Sequence, residues 1–186
     1  DFAWLQHMIK SMDPKTGRCA VVLPQGVLFH SGKEGNIREQ LVRSDKLEAV
    51  ITLASGVFYS TGVSACILFL NNKKEHKHKG RICLIDGSEV YTPQRAQNII
   101  SPDNVKTLYK LYTDYVDVIE KCKIVTIDDV EKGGFELSVK KYIEQKAKEV
   151  IPHEKVLQMY YEALTKVRKS EEKMRELLIE GGYVNE

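Results

Sequence analysis

The sequence predicts an α/β layered fold with an antiparallel hairpin edge and a C-terminal helical segment, and three observations predict it. Short apolar runs of strand length alternate with segments of helical periodicity. Two such runs, residues 63–70 and 81–86, flank a polar loop of hairpin character. Beyond Pro152 the apolar residues fall at heptad spacing. With 186 residues, 42% of them hydrophobic, the chain can bury one core and still carry an appendage. The expected division is a domain over residues 1–150 and a helix within 151–186.

Taken in order, Leu5, Met8, Ile9 and Met12 mark a first helix that stops at Pro14 and Gly17. "CAVVL" (19–23) is apolar on consecutive residues, as a strand covered on both faces of a parallel sheet would be. A short helix around Ile37–Val42 leads to a second strand, "LEAVITL" (47–53). The runs "VSACILFL" and "RICLID" then form the hairpin around "NNKKEHKHKG", which adds an antiparallel edge. Ser101, Pro102 and Asp103 start a helix, with a capping hydroxyl, a first-turn proline and an acid. Its buried face is Val105, Leu108, Tyr109, Tyr112, Tyr115, Val116 and Ile119. A short strand "KIVTID" and a turn at Gly133 and Gly134 follow, and the last helix runs roughly from Glu154 to Glu180.

Composition excludes several function classes. Twenty-eight Lys and Arg against 26 Asp and Glu give a net charge of +2, without the basic excess of a stand-alone nucleic-acid binder. Cys19, Cys66, Cys83 and Cys122 are widely spaced, three of them inside apolar runs, and read as buried reduced thiols of a cytosolic protein. No run has the length of a membrane span, and no signal peptide is recognisable. His76 and His78 lie one residue apart without further ligands, so no metal site is expected. No nucleophile, base and acid share a spacing signal that would suggest a hydrolase. The chain opens at Asp1 directly into a helical pattern, which is the expectation for a piece of a longer protein.

Three segments carry a resemblance. "GRCAVVLPQGVLFHSGKEGNIREQL" is similar to a strand, "LPNGVLF" loop and "IRxxL" helix. "ITLASGVFYSTGVSACILFLNNKK" is similar to an "LPxGxFxxTGVxTxILxLxK" run, and "GFELSVKKYI" to a "GYNLNIxRYI" element. In this order they resemble the C-terminal part of the modification subunit of type I restriction-modification systems, a family of adenine-specific DNA methyltransferases. The resemblance implies the C-terminal half of a class I S-adenosylmethionine-dependent sheet. It also implies S-adenosylmethionine as cofactor of the complete protein, with DNA, a specificity subunit and a restriction subunit as partners. The family's cofactor turn "FxGxG" and catalytic "(N/D)PP(Y/F)" are both missing from this sequence, since Asp13 and Pro14 are followed by Lys15 and Thr16. In the family both precede a helix like "FAWLQHMIKSM", so they are expected before residue 1, and this chain alone is expected to bind no cofactor and to be inactive. His30 stands where the family has an arginine, which removes a phosphate-binding group.

The resemblance assigns Phe58 to one wall of the target-base pocket, where an aromatic ring offsets the cost of flipping a base out of the duplex. Read without it, Phe58 is an ordinary core phenylalanine. Lys73, Lys74, Lys77, Lys79 and Arg81 read equally as a DNA-backbone contact and as charges that keep an edge hairpin soluble. Leu157, Tyr160, Leu164, Val167, Met174 and Leu178 form a seam interrupted by Glu171. That seam suits either packing on the chain's own domain or a subunit contact, including self-association. Two function classes stay open: a portion of a DNA adenine methyltransferase, and a non-catalytic assembly or DNA-binding module built on the same fold.

Overall fold

The strand Leu47–Leu53 (β2) is buried at all seven positions, which is why it is apolar almost throughout: it has strands on both edges and helices on both faces. In the computed structural model, which describes residues 2–59, 61–95, 97–144 and 152–183, it is the centre of a five-stranded sheet. Helix α1 (Phe2–Ser11) precedes β1 (Arg18–Pro24), and a 3-10 turn (Gln25–Leu28) leads into helix α2 (Lys33–Arg43). After β2 come β3 (Ala65–Asn71), β4 (Arg81–Gly87), helix α3 (Pro102–Asp114) and β5 (Cys122–Thr126). Short helices α4 (Ile127–Lys132) and α5 (Val139–Tyr142) follow, and then α6 (His153–Glu180). The strand order is β1-β3-β2-β4-β5. Strands β1, β2 and β4 run in one direction, with β3 inserted antiparallel between β1 and β2 and β5 antiparallel at the far edge.

The strand period of two divides the core between the faces. Val50, Leu68 and Leu84 meet Phe2 and Leu5 of α1 and Leu41 and Val42 of α2 on one face. Ala49, Ile51, Cys83 and Ile85 meet Leu108 of α3 on the other. Each such Leu, Ile or Val contributes about 1.5–3 kcal/mol when fully buried. Between Leu47 and Ala49 the pairing with β3 shifts by one residue, and this bulge turns the Glu48 side chain out of the alternation. Helix α3 starts as its sequence predicts: the Ser101 hydroxyl accepts from Asn104 N at 3.3 Å, and the Asn104 side chain accepts in return from Ser101 N.

Three expectations need correction. Residues 63–70 and 81–86 form strands but no hairpin, because β2 lies between them; the connecting loop crosses the amino end of β2. The antiparallel edges are instead β1 on β3 and β5 on β4. Strand β1 is such an edge and not a doubly covered parallel strand, so Val22 is half exposed and only Leu23 is buried. The face assigned to α3 is too long. Tyr115 adopts a left-handed conformation (φ 51°) that ends the helix, leaving Val116 and Ile119 outside it and exposed. Val105 and Tyr109 are exposed as well, while Leu108 is buried and Tyr112 and Tyr115 pack against the second core.

The chain falls into two units, Asp1–Lys146 and Ala147–Glu186. The second consists, among the described residues, of α6 and its Gly181–Gly182 end, and none of the residues of this helix is buried. No helix among the described residues is long and apolar enough to cross a membrane. Cys66, Cys83 and Cys122 are buried and Cys19 half-buried, all as free thiols.

The crossing loop is anchored by Lys74, whose buried ammonium donates to Asp45 Oδ1 at 2.6 Å and to Arg81 O at 2.9 Å. Asp45 Oδ2 also accepts from Gly80 N at 2.9 Å, so one carboxylate ties both ends of the loop to the turn before β2. Lys74→Ala should therefore lower stability by about 2–3 kcal/mol, somewhat below the range for a fully buried pair because Asp45 stays partly open. Lys77→Ala, whose exposed ion pair with Glu75 is 3.3 Å long, should change it by less than about 0.5 kcal/mol. Urea unfolding of the two variants would separate these outcomes.

Candidate functional site

A cleft of about 230 Å³ opens at the carboxyl ends of β1, β2 and β4, the end at which α/β sheets bind their ligands. All three segments that carry the sequence resemblance contribute to it. Gln25, Leu28 and Phe29 come from the first, Thr52 and Ser64 from the second, and Ser138, Val139 and Lys140 from the third, with Ser88 from the end of β4. Backbone bonds join the segments: Gln25 N donates to Ser64 O at 3.0 Å, and Leu137 N to Leu28 O at 2.8 Å. The buried guanidinium of Arg38 on α2 completes the link. It donates through Nε to Phe135 O (2.7 Å) and through Nη1 to Val27 O (3.1 Å) and His30 O (2.8 Å). Gly87 allows β4 to approach β2 here, since a Cβ at this position would collide with Thr52 O.

At the floor, Asp86 Oδ1 accepts from Thr52 Oγ1 at 3.0 Å and from Ser88 N at 2.9 Å. Ser88 Oγ is buried and has no partner among the described residues. Thr52, next to the last residue of β2, and Ser64, just before β3, flank the loop that carries Phe58, so both ends of this loop lie at the cleft. The Phe58 side chain is 40% exposed and belongs to neither core cluster, which removes the reading of it as a core phenylalanine. Asn98 fastens the loop base: its N donates to Gly56 O and its Nδ2 to Ser55 O, both at 2.9 Å.

The basic residues lie elsewhere. Strand β3 runs from the cleft at Ala65 to Asn71, a span of about 20 Å, and Lys73, Lys74, Lys77, Lys79 and Arg81 follow it at the opposite end of the sheet. Lys74 is buried and committed to Asp45, which removes it as a DNA-backbone contact; Lys73, Lys77, Lys79 and Arg81 are exposed. His78, expected at a solvated tip, is buried against Tyr115, with ring centroids 3.6 Å apart. Among the described residues no group of three or more potential ligands gathers for a metal.

This amino-terminal end holds a polar cluster that sequence reading missed, although Glu48 within the apolar run 47–53 was the available signal. The bulge aims the buried Glu48 carboxylate at donors on four elements. It accepts from Tyr112 OH (2.7 Å) and Asn71 Nδ2 (3.1 Å), faces His78 Nδ1 at 3.3 Å and pairs with Arg18 Nη2 at 3.5 Å. Burial raises its pKa, but the hydrogen bonds from Tyr112, Asn71 and His78, with Arg18, outweigh burial and hold it below the ordinary 4.5. Burial and the hydrogen bond to Glu48 push the Tyr112 hydroxyl up to about 12.

The comparisons with known proteins agree with this layout. Residues 1–150 match the family of N-6 DNA methylases. The chain belongs to that family. Among family members it is similar to the type I restriction enzyme MjaVIII methylase subunit of Methanocaldococcus jannaschii, at 35% identity over 146 residues, which is 77% of this chain and 25% of that protein. The HindI methylase subunit of Haemophilus influenzae is 32% identical over 151 residues, covering 77% of this chain and 33% of that one. The chain thus spans about a quarter to a third of these relatives. The type I methyltransferase subunit from Streptococcus thermophilus superposes with a TM-score of 0.72 at 26% identity, over 77% of this chain and 30% of that one. A structure of a type I system described for its assembly and conformational transition shares the fold over 98% of this chain, at TM-score 0.61 and 20% identity. The mixed sheet described above thus matches part of the methyltransferase fold of type I modification subunits.

Because the Glu48 pKa is depressed in the folded state, its stabilisation is present above the unfolded value near 4.5 and is lost as pH falls through the lower folded value. Glu48→Gln should then be less stable than the parent at pH 7, with the gap closing as pH falls below about 4.5. Chemical denaturation repeated between pH 3 and 7 would show it; two parallel curves would exclude this role.

Proposed function

We propose that this chain supplies the target-adenine side of a type I DNA modification subunit, with Phe58 as a wall of the base pocket and α6 as the helix that joins other subunits. The observation that carries the reading is the convergence of all three family segments on one cleft at the carboxyl ends of β1, β2 and β4, with the Phe58 loop rising from its rim. A base taken out of a duplex needs a pocket and a ring face to replace its lost stacking, and a 40%-exposed phenylalanine on a fastened loop can offer one.

S-adenosylmethionine supplies the methyl group in this reading, but the residues of this chain do not fit a site for it. Asp13 and Pro14, the nearest sequence match to a catalytic tetrapeptide, form a turn in which Asp13 Oδ1 accepts from Lys15 N, Thr16 N and Thr16 Oγ1. Its Oδ1 is thus committed to closing the turn, and the residues after Pro14 are Lys15 and Thr16 rather than the second proline and aromatic of the catalytic motif. Cofactor binding and methyl transfer accordingly belong to a whole subunit, and this chain alone is inactive in our reading. The exposed Lys73, Lys77, Lys79 and Arg81, about 20 Å from the cleft by strand length, would touch backbone distant from the flipped base.

The assembly role rests on α6. Leu157, Tyr160, Val167, Met174 and Leu178 are exposed along its seam and Leu164 is half-buried, a stripe whose burial needs a partner. A specificity subunit is the partner we assign, with a restriction subunit in the complete system and self-association through the same helix as the arrangement of the isolated chain.

In a complex completed with the remaining portion of a modification subunit, Phe58→Ala should lower adenine methylation about 5- to 100-fold, the loss expected for one stacked base, without changing the melting of the fold. Undiminished methylation by a folded variant would reject the pocket assignment. Leu164→Glu should abolish co-purification with a specificity subunit and leave the melting of residues 1–146 unchanged. A drop of many degrees in that melting would instead make α6 part of the core.

A further inference from the structure

Phe29 and Gln25 face the same cleft and are given no role by the assignment of Phe58. Phe29 is 53% exposed and belongs to neither core cluster. Among the described residues its one ring contact is His30, edge-on at 5.4 Å and 89°, so that ring does not stack on it. Gln25 uses its backbone N–H on Ser64, and no described residue hydrogen-bonds its side-chain amide. Ser88 Oγ is buried at the floor with no partner among the described residues. A ring, and an amide and a hydroxyl without partners among the described residues, around a cavity of mixed apolar and polar lining are the groups needed to hold a flat heterocycle with hydrogen-bonding edges.

An anion fits the cleft less well. Its one cation, Lys140, is well exposed and has the Asp86 carboxylate 4.0 Å away, and Leu28, Phe29 and Val139 would desolvate a phosphate without pairing it. A neutral base loses little on entering, and an amide can pair with the amino group and ring nitrogen of adenine at once.

We infer that the cleft is the seat of an unpaired adenine, with Phe29 as a stacking platform and Gln25 as the residue that reads the base edge. The inference rests on the reading of this chain as the target-base side of a DNA methyltransferase, and it adds two specificity-determining residues to Phe58. Ser88 supplies a third polar contact from the floor.

The test uses the full chain and a short single-stranded oligonucleotide carrying 2-aminopurine, whose fluorescence is quenched on stacking. The parent protein should quench it, and unlabelled oligoadenylate should compete better than oligocytidylate. Phe29→Leu should weaken binding about 5- to 100-fold. Gln25→Leu should bind both competitors equally, having lost the amide that distinguishes them. Both residues are outside the core, so thermal melts should match the parent.

Quenching by Phe29→Leu equal to that of the parent would overturn the proposal, as would an undiminished adenine preference in Gln25→Leu or no quenching by the parent at millimolar protein. Phe58→Leu separates this inference from the one it rests on. Loss in Phe58→Leu alone would leave the methyltransferase reading standing and reject Phe29 and Gln25. Loss in Phe29→Leu and Gln25→Leu with Phe58→Leu intact would keep the cleft and move the base wall to Phe29.

Discussion

The buried guanidinium of Arg38 is the interaction on which the cleft depends. Removing an arginine from water costs several kcal/mol, and here three charge-assisted bonds to the carbonyls of Val27, His30 and Phe135 offset that cost. These carbonyls belong to the loop after β1 and to the glycine turn after α4, two segments about a hundred residues apart in the chain. Both are irregular backbone, held by the side chain of a helix that is itself packed on the sheet. Phe135 takes a left-handed conformation (φ 57°) and lies under the Arg43 guanidinium, 4.6 Å from its ring centroid, so a second arginine of α2 secures the same turn. A lysine could not replace Arg38, because a point charge lacks the planar fork that reaches three acceptors in different directions.

Much of the fold was legible in the sequence because it is written in local chemistry. The helix start at Ser101, the turn at Pro14 and the end of α6 at Gly181 and Gly182 each depend on residues within a few positions of one another. Strand neighbours are not local. Nothing in residues 63–86 states that another strand separates β3 from β4, and so a crossing connection was read as a hairpin and its lysines as a solvated tip. Burial of Lys74 and His78 follows from that crossing, since the loop must lie against the end of β2.

The site was legible to the extent that a motif named it. Phe58 was singled out through its flanking "STGVSA", and it lies on the loop that leads from β2 to Ser64 of the cleft. Phe29 and Gln25 lay inside an equally recognisable segment and went unassigned, because "LPQGVLF" reads as a strand end and a loop. Exposure separates Phe29 from its neighbours Val27 and Leu28, which are buried, and exposure is a tertiary property.

The two ends of the sheet differ in what holds them. At the carboxyl end, irregular backbone is tied by Arg38, and Ser88 Oγ is buried with no described partner. At the amino end, Glu48 gathers donors from four elements and Asp45 ties a loop shut, although His78 Nε2, Asn72 Oδ1 and Tyr115 OH nearby are also buried without a described partner.

The place of β3 also sets the order in which the sheet can assemble. It is the third strand in the chain but lies between the first two, which run parallel at twice the usual strand spacing. As the chain emerges from its amino terminus, β1, α2 and β2 exist before anything can fill that slot. Both edges of that slot are completed only by residues 65–71, so the β1 and β2 half of the sheet cannot close its hydrogen bonds until β3 has been made, and the contacts that join them span tens of residues of chain.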